Sequence, residues 1–173
     1  MPKKKAKNTV VYEGRVKIQL VRGNKVLKTL NKKNEGKLPL FTFISRCLAG
    51  NFDFNGCPKY VRLFHSDDIE NFNPATELVS GNETTTAALP VVGVSLDTNT
   101  TNEEGATNFE FLVPASVLKT ASSPSNVIAI YNTNNRTERG KPSAYVLLEA
   151  GQEITADGES NIKIIWTMTI SNK

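Results

Sequence analysis

Apolar and polar residues alternate with a period of two along most of this chain, which predicts a protein built mainly from β-strands. The clearest case is the C-terminal stretch, where Ile162, Ile164, Trp166, Met168 and Ile170 are separated by Lys, Thr and one further Ile. Alternation of this kind places the large apolar side chains on one face of a strand. We therefore predict a C-terminal strand with one well-buried face.

A β-hairpin is predicted near the start of the chain. Val16, Ile18 and Leu20 share one face of a first strand, and charged or polar residues separate them. The Gly-Asn pair within residues 22–25 suits a two-residue turn, and residues 26–30 supply the returning strand. Lysines on such a strand also protect an exposed edge against unwanted pairing, so a purely protective role and a binding role both stay open.

Over residues 38–49 the spacing of apolar residues changes to that of an amphipathic helix. Pro39 suits the first turn of this helix, and Gly50 suits the position just beyond its end. The apolar residues at helical spacing are Leu40, Phe41, Ile44, Cys47 and Leu48. We expect one short helix that packs on the sheet and buries the Cys47 thiol.

The remaining apolar runs are short and bounded by Gly, Pro, Asn or Ser. They lie near residues 60–64, 89–96, 109–113, 127–131 and 145–148. Seven or eight strands with long polar loops and one helix predict a mainly β fold, an antiparallel β-sandwich or jelly-roll-like domain. A chain of 173 residues forms one core, so we predict a single β-sandwich domain over residues 9–173. The lysine-rich residues 1–8 are predicted to form a basic, flexible N-terminal arm.

The net charge of +4 combines two parts of opposite sign. Residues 1–37 carry 12 Lys+Arg against two acidic residues, a balance of +10, and the other residues carry 9 basic and 15 acidic groups, a balance of −6. This asymmetry favours a polyanion-binding arm or a subunit whose basic end contacts an acidic face of its neighbour. The candidate interaction residues are Lys3, Lys4, Lys5, Lys7, Arg15, Lys17, Arg22, Lys25, Lys28, Lys32 and Lys33.

No catalytic constellation stands out in the sequence, and we expect a protein that is not an enzyme. His65 is the only histidine, and Ser66 and Asp67 follow it directly. Members of a catalytic triad must converge in space around a nucleophile, and neighbours on a strand end point apart. We therefore predict no catalytic role for this tripeptide.

Metal and cofactor sites are not expected either. Asp67, Asp68 and Glu70, with two Asn nearby, supply oxygen atoms, but the central Gly and final Glu of a calcium loop are missing. We interpret this stretch as a solvated loop. Cys47 and Cys57 stand ten residues apart with a single His in the chain, which fits no zinc-ligand spacing.

We searched the sequence for membrane-spanning, secretion and nuclear-import signals. No apolar run approaches the length of a membrane-spanning helix, and the basic start is not followed by the apolar core of a signal peptide. We expect synthesis in the cytoplasm and no membrane partner. Residues 2–7, Pro-Lys-Lys-Lys-Ala-Lys, are close to a nuclear import signal and equally suit a disordered arm that grips phosphates.

Several segments together resemble small structural proteins of tailed-bacteriophage virions, the crAss-like group among them. The resemblance lies in the hairpin of residues 16–26, the predicted helix of residues 40–50, the strand of residues 58–64 and the closing segments 151–154 and 162–170. It covers about half of the chain and includes no diagnostic motif, so it assigns no site residues. It implies a non-enzymatic virion subunit, made in the host cytoplasm, that forms a homo-oligomer and contacts other virion proteins in a collar or tail ring or at the head-tail junction.

Three alternatives stay open: a capsid decoration protein, a nucleic-acid-binding protein that uses the basic arm, and a receptor- or glycan-binding β-module. The last would need exposed aromatic residues in loops, for which Phe52, Phe54 and Phe72 are the candidates. For the structural role, we hypothesise that residues 1–33 extend onto an adjacent subunit and become ordered only on assembly. The long polar stretch of residues 66–86 is the second candidate for a contact between subunits.

Overall fold

Antiparallel strands dominate the computed structural model, which describes residues 10–36, 58–99, 104–119 and 123–172. Strands account for 53% of the residues and helices for 7%, which confirms the prediction of a mainly β fold. The described strands are β1 (Val10–Arg22), β2 (Lys25–Lys33), β3 (Glu35–Gly36), β4 (Tyr60–Phe64), β5 (Leu89–Asn99), β6 (Glu104–Val113), β7 (Val127–Tyr131), β8 (Ala144–Leu147) and β9 (Asn161–Asn172).

These nine strands of the described ranges form one sheet in the order β2-β1-β9-β6-β5-β4-β7-β8-β3. Strand β5 joins the two halves of this sheet. Its first residues, Leu89 and Pro90, pair with β4, and from Val91 onward it pairs with β6. The register shifts between Val91 and Gly93, and such a bulge bends a strand where it passes from one half of a sheet to the other.

The predicted N-terminal hairpin is confirmed in its position and its turn. Gly23 has a φ of +57°, a conformation that glycine adopts without a steric penalty, and Arg22 pairs with Lys25 across the turn. Val16 and Ile18 are buried, as the alternation predicts. The predicted C-terminal strand is confirmed as β9.

The hypothesis that residues 1–33 become ordered only on assembly is wrong for residues 10–33. Strand β1 pairs with β9 from Val10 opposite Asn172 to Val21 opposite Asn161. Backbone pairing over this length, together with burial of Val16 in the chain's own core, fixes β1 within the subunit. Residues 1–9 lie outside the described residues.

One apolar core lies between the two halves of the sheet. Its members on the long strands include Phe111, Ile164 and Trp166, all with no exposed surface, and its members on the short strands include Leu63 and Ile128. Because β1, β6 and β9 alternate between buried and partly or fully exposed positions, one of their faces lies against this core. The opposite face is at least partly solvated, as in a β-sandwich.

Strand β7 differs, because all of its residues are buried. A second apolar cluster covers its outer face, where Leu78, Phe64 and Tyr131 pack with Val127 and Ala129. Leu78 follows a four-residue helix, α1 (Pro74–Glu77), which Asn73 caps at its N-terminus. The polar stretch of residues 66–86 is thus folded over the sheet. The helix predicted for residues 38–49 lies outside the described residues, as do Cys47 and Cys57.

The two ends of the sheet approach each other through a corner at Asn34. This residue lies between β2, which pairs with β1, and β3, which pairs with β8. The Asn34 N–H donates to the Gly14 carbonyl oxygen at 3.2 Å. A Cβ atom on Gly14 would lie 1.4 Å from Asn34 Oδ1, so the absence of a side chain at position 14 makes room for the corner.

Candidate functional site

Seven of the eleven candidate basic residues lie on the β1–β2 hairpin, and most of them have partners in their own chain. Arg22 forms ion pairs with Asp157 at 2.8 Å and Glu159 at 3.1 Å. Lys32 pairs with Glu149 at 2.7 Å. These cations are therefore partly neutralised within the subunit. Lys3, Lys4, Lys5 and Lys7 lie outside the described residues.

Glu13 neutralises two further cations. Its carboxylate lies 3.3 Å from Arg15 and 3.3 Å from Lys33. The hydrogen bond from Lys33 and then the positive charge of Arg15 hold the pKa of Glu13 below its ordinary value. Both cations are largely exposed, so water and salt screen the two pairs and each of them contributes little to stability.

Three cations of the hairpin keep an uncompensated charge. Lys17 and Lys25 form no ion pair with any residue in the described ranges. Lys28 donates to the neutral carbonyl oxygen of Gly151 at 3.3 Å. Lys25 and Lys28 both lie on β2, so positive charge stays on this strand.

In the five-stranded half of the sheet, β2-β1-β9-β6-β5, the two outer strands each have an edge without a strand partner among the described residues, β2 along its length and β5 from residue 92 onward. We call the side of β2 that faces away from β1 the β2 edge, and no described strand pairs with it. We call the side of residues 92–99 that faces away from β6 the β5 edge. The hydrogen bond from the Val91 N–H to the Lys59 carbonyl oxygen lies just before this edge. No described strand pairs with the β5 edge itself.

Apolar side chains are exposed along β5. Val92 is 58% exposed, Val94 59% and Leu96 76%. Val94 lies opposite the buried Phe109 of β6, so it extends the inner face of the sheet beyond the core. Exposed apolar residues that follow one another along an edge strand are typical of interaction surfaces.

The charge around β5 is opposite to that of the N-terminal hairpin. No Lys or Arg occurs in residues 63–118, whereas nine Asp and Glu do. Within β5, Asp97 is exposed and forms no ion pair with a described residue. Glu110 of β6 pairs with Lys163 of β9 at 2.8 Å. The β5–β6 hairpin is therefore acidic where the β1–β2 hairpin is basic.

A buried charge network lies where the stretch of residues 66–86 crosses β4. Arg62 is 2% exposed, and its Nη1 lies 2.5 Å from Oε1 of Glu83, which is 5% exposed. Nε of Arg139 lies 2.8 Å from the other carboxylate oxygen, and Nη2 of Arg62 donates to Asn134 Oδ1 at 3.0 Å. Lys119 Nζ donates to the Glu83 carbonyl oxygen.

The geometry of this network indicates a structural role. Both oxygens of Glu83 accept hydrogen bonds from guanidinium groups, which leaves the carboxylate engaged rather than available to a ligand. The sequence offers one signal for it, an arginine within the otherwise apolar strand of residues 60–64. Its partners are distant in sequence, so pattern analysis does not find them.

Tyr131 borders the same network. Its hydroxyl donates to the Arg139 carbonyl oxygen at 2.7 Å. Burial raises the pKa of the phenol well above its ordinary value, and the nearby guanidinium of Arg62 acts in the opposite direction. Tyr131 therefore stays neutral and acts as a hydrogen-bond donor that ties residue 139 to the sheet.

The tripeptide that begins with His65 does not form a triad. Nε2 of His65 does contact Asp67 Oδ1 at 3.0 Å, and Nδ1 lies 2.7 Å from the Pro124 carbonyl oxygen. The expectation that neighbours point apart is thus wrong for His65 and Asp67. Ser66 does not join this pair among the hydrogen bonds of the described residues, since its hydroxyl donates to Glu77 at 3.0 Å.

The acidic loop after His65 forms a turn. The Asp68 carboxylate accepts hydrogen bonds from the backbone N–H and the side-chain amide of Asn71. Within the ranges that the structure describes, no group of three or more His, Cys, Asp or Glu could hold a metal ion.

Of the aromatic residues considered for ligand binding, only Phe72 is described. Its ring packs against Tyr145 with 5.0 Å between the ring centroids, and it joins the second apolar cluster. Phe72 therefore fastens its loop to the sheet. Phe52 and Phe54 lie outside the described residues.

Comparison with known proteins gives no assignment. No family profile matches this chain, and neither curated proteins nor solved structures give a significant match. Among the described helices, none has the length and apolar character needed to cross a membrane.

Proposed function

We propose that this chain is a non-enzymatic structural subunit of a tailed-phage virion, assembled through protein–protein contacts. A collar or tail ring, or a head-tail position, is the first choice, and capsid decoration is the second. The observation that carries the assembly role is the pair of strand edges on one half of the sheet, at β2 and at residues 92–99 of β5, with which no described strand pairs. An open edge is a template for pairing with another chain, and the exposed Val94 and Leu96 add apolar surface beside it.

The placement in a virion rests on the resemblance of the hairpin at residues 16–26, the segments at residues 40–50 and 58–64, and the closing segments at residues 151–154 and 162–170 to tailed-phage structural proteins. Two of these segments, β1–β2 and β9, are neighbours in the sheet and form its most extensively paired region.

Quantitative mass spectrometry of purified particles, scaled to the major capsid protein, tests this proposal. A small, fixed number of copies per particle supports a ring in the collar or tail, and hundreds of copies support a capsid decoration. Absence from the particles contradicts a virion role. Particles from which the gene for this chain has been deleted serve as the matched negative control.

Nucleic-acid binding is the second candidate function, favoured by the uncompensated charges of Lys17, Lys25 and Lys28 and by the lysine-rich sequence of residues 3–7. Contacts of this kind bind phosphates without reading sequence. Binding to duplex DNA should then fall steeply as salt increases and should weaken when the lysines of residues 3–7 are changed to alanine. Binding that is insensitive to salt would argue against this candidate.

A further inference from the structure

The two open edges differ in charge in a way that restricts how copies of this chain can pair. The β1–β2 hairpin, residues 10–33, contains seven Lys or Arg and one Glu, a balance of +6. Residues 89–113, which contain β5 and β6, carry four acidic residues and no basic one, a balance of −4. Strand β9 separates these hairpins, so opposite charges lie at opposite ends of the same half-sheet.

Like edges repel each other. If the β2 edges of two copies paired, Lys25 and Lys28 of both copies would approach one another. If two β5 edges paired, Asp97 would approach its own copy in the same way. Like charges across paired strands destabilise the pair, whereas opposite charges steer association and fix its orientation. A contact between a β2 edge and a β5 edge is the favoured combination.

Both edges also offer apolar surface. On β2, Val26 is 46% exposed and Leu27 is 43% exposed. On β5, Val94 and Leu96 are more exposed still. Burial of these side chains between two copies would add a hydrophobic contribution to the backbone hydrogen bonds of a strand pair.

We infer that copies of this chain associate head to tail, with the β2 edge of one copy pairing with the β5 edge of the next. The partner is thus a second copy of the chain, and the inference deepens the proposed function and rests on its assembly role. Each copy uses two different surfaces, so the contact is heterologous, and it closes into a ring or continues as a filament according to the rotation between copies.

The strand directions define this contact further. Four successive antiparallel pairings, β2 with β1, β1 with β9, β9 with β6 and β6 with β5, separate the two edges. An even number of reversals leaves β2 and β5 running in the same direction. A next copy that continues the sheet therefore adds its strand in the parallel direction.

Two sets of substitutions in the full-length protein test the inference. Lys25→Glu with Lys28→Glu reverses the charge of the β2 edge, and Leu96→Lys with Asp97→Lys reverses that of the β5 edge. Lys141→Glu, at an exposed residue away from both edges, is the matched control. Sedimentation velocity measures the mass of each variant, and thermal unfolding followed by circular dichroism shows whether each one is folded.

We expect the unchanged protein and the Lys141→Glu control to self-associate equally, and each edge variant to associate about 100-fold more weakly because like charges then face each other. A one-to-one mixture of the two edge variants is the most informative sample. In each variant alone, the reversed edge of one copy would meet an unchanged edge of the same charge on the next copy. In the mixture, the unchanged β5 edge of the first variant and the unchanged β2 edge of the second carry opposite charges and can pair. The reversed β2 edge of one variant also carries charge opposite to that of the reversed β5 edge of the other, so the mixture should regain association and grow through alternating copies of the two variants.

The inference is overturned if either edge variant alone still associates as the unchanged protein does, or if the mixture does not regain association. It is also overturned if the unchanged protein stays monomeric at millimolar concentration. These outcomes leave the particle copy number to be decided by mass spectrometry, so failure of the edge contact is distinguishable from failure of the virion role. Absence from particles together with edge-dependent association would reject only the virion role.

Discussion

The substitution Glu83→Gln tests the buried charge network most directly. Glutamine has nearly the shape of glutamate but no charge, and its amide nitrogen can only donate. One of the two guanidinium groups, from Arg62 or Arg139, would then face another donor. Arg62 would also retain a full charge at 2% exposure with its carboxylate partner gone.

The expected cost follows from that burial. Removing one partner of a buried ion pair destabilises a protein by about 3–5 kcal/mol, because the other charge is left uncompensated. The amide oxygen of the introduced glutamine still accepts one hydrogen bond, so the lower end, about 3 kcal/mol, applies. For a chain of this size, that free energy corresponds to a decrease of about 6–12 °C in melting temperature.

Urea unfolding followed by circular dichroism measures the free energy of unfolding of each variant. Glu149→Gln is the matched control. It also removes one carboxylate charge from an ion pair, here with Lys32, but the Glu149 carboxylate is exposed to solvent. This change should therefore cost less than about 1 kcal/mol. A double-mutant cycle with Arg62→Met should give a coupling energy of about 1–3 kcal/mol. Equal, small losses for Glu83→Gln and Glu149→Gln would refute the reasoning that burial sets the cost.

Three further predictions concern the closing corner, the carboxylate beside the hairpin and the core. Gly14→Ala should destabilise the fold by about 1–3 kcal/mol, and Asn34→Ala in the same molecule should recover part of this loss, since the clash is with the Asn34 side chain. The hydroxyl of Ser160 and two backbone N–H groups hold the pKa of Asp157 below its ordinary value. The resulting stability is complete above about pH 4 and is lost as the pH falls further, so Asp157→Asn should flatten the acid limb of a stability-versus-pH curve. Trp166→Ala should cost about 3–5 kcal/mol in urea unfolding, because the indole has no exposed surface.

Each of these has a result that would contradict it. If the double variant at positions 14 and 34 is as unstable as Gly14→Ala alone, the clash with Asn34 is not the cause. Glu70→Gln, which removes an exposed carboxylate outside both edges, is the control for the loss of one negative charge. An acid limb equally steep in the wild type and in Asp157→Asn would count against the assignment to Asp157. A loss below about 1 kcal/mol for Trp166→Ala would show that the indole is not the centre of the core.

The parts of the fold that were predictable from the sequence are those where one face of a strand is buried and the other is not. Alternation at Val16 and Ile18, and again from residue 162 onward, identifies β1 and β9 because their faces have different environments. The Gly-Asn pair specifies the hairpin turn locally. Strand β7 shows only a short apolar run, since it is buried on both faces and therefore has no alternation.

The stretch of residues 66–86 shows why polar composition is a poor guide to exposure. Its composition is that of a polar loop, yet Glu83, Thr84 and Thr85 are buried. Burial is possible there because Arg62 and Arg139, both distant in sequence, supply the hydrogen bonds that Glu83 needs. A partner that is specified only by the three-dimensional fold leaves no local pattern to detect.

The pairing of β1 with β9 also determines when the fold can be completed during synthesis. Strand β1 ends at Arg22 and β9 begins at Asn161, so the ribosome must add nearly all of the intervening chain before these two strands can meet. At bacterial and eukaryotic elongation rates this takes roughly 10–30 s, during which the apolar face of the hairpin has no β9 to pack beside it. Repulsion between the lysines of β2 would oppose pairing of two unfinished chains through this strand before β9 is made.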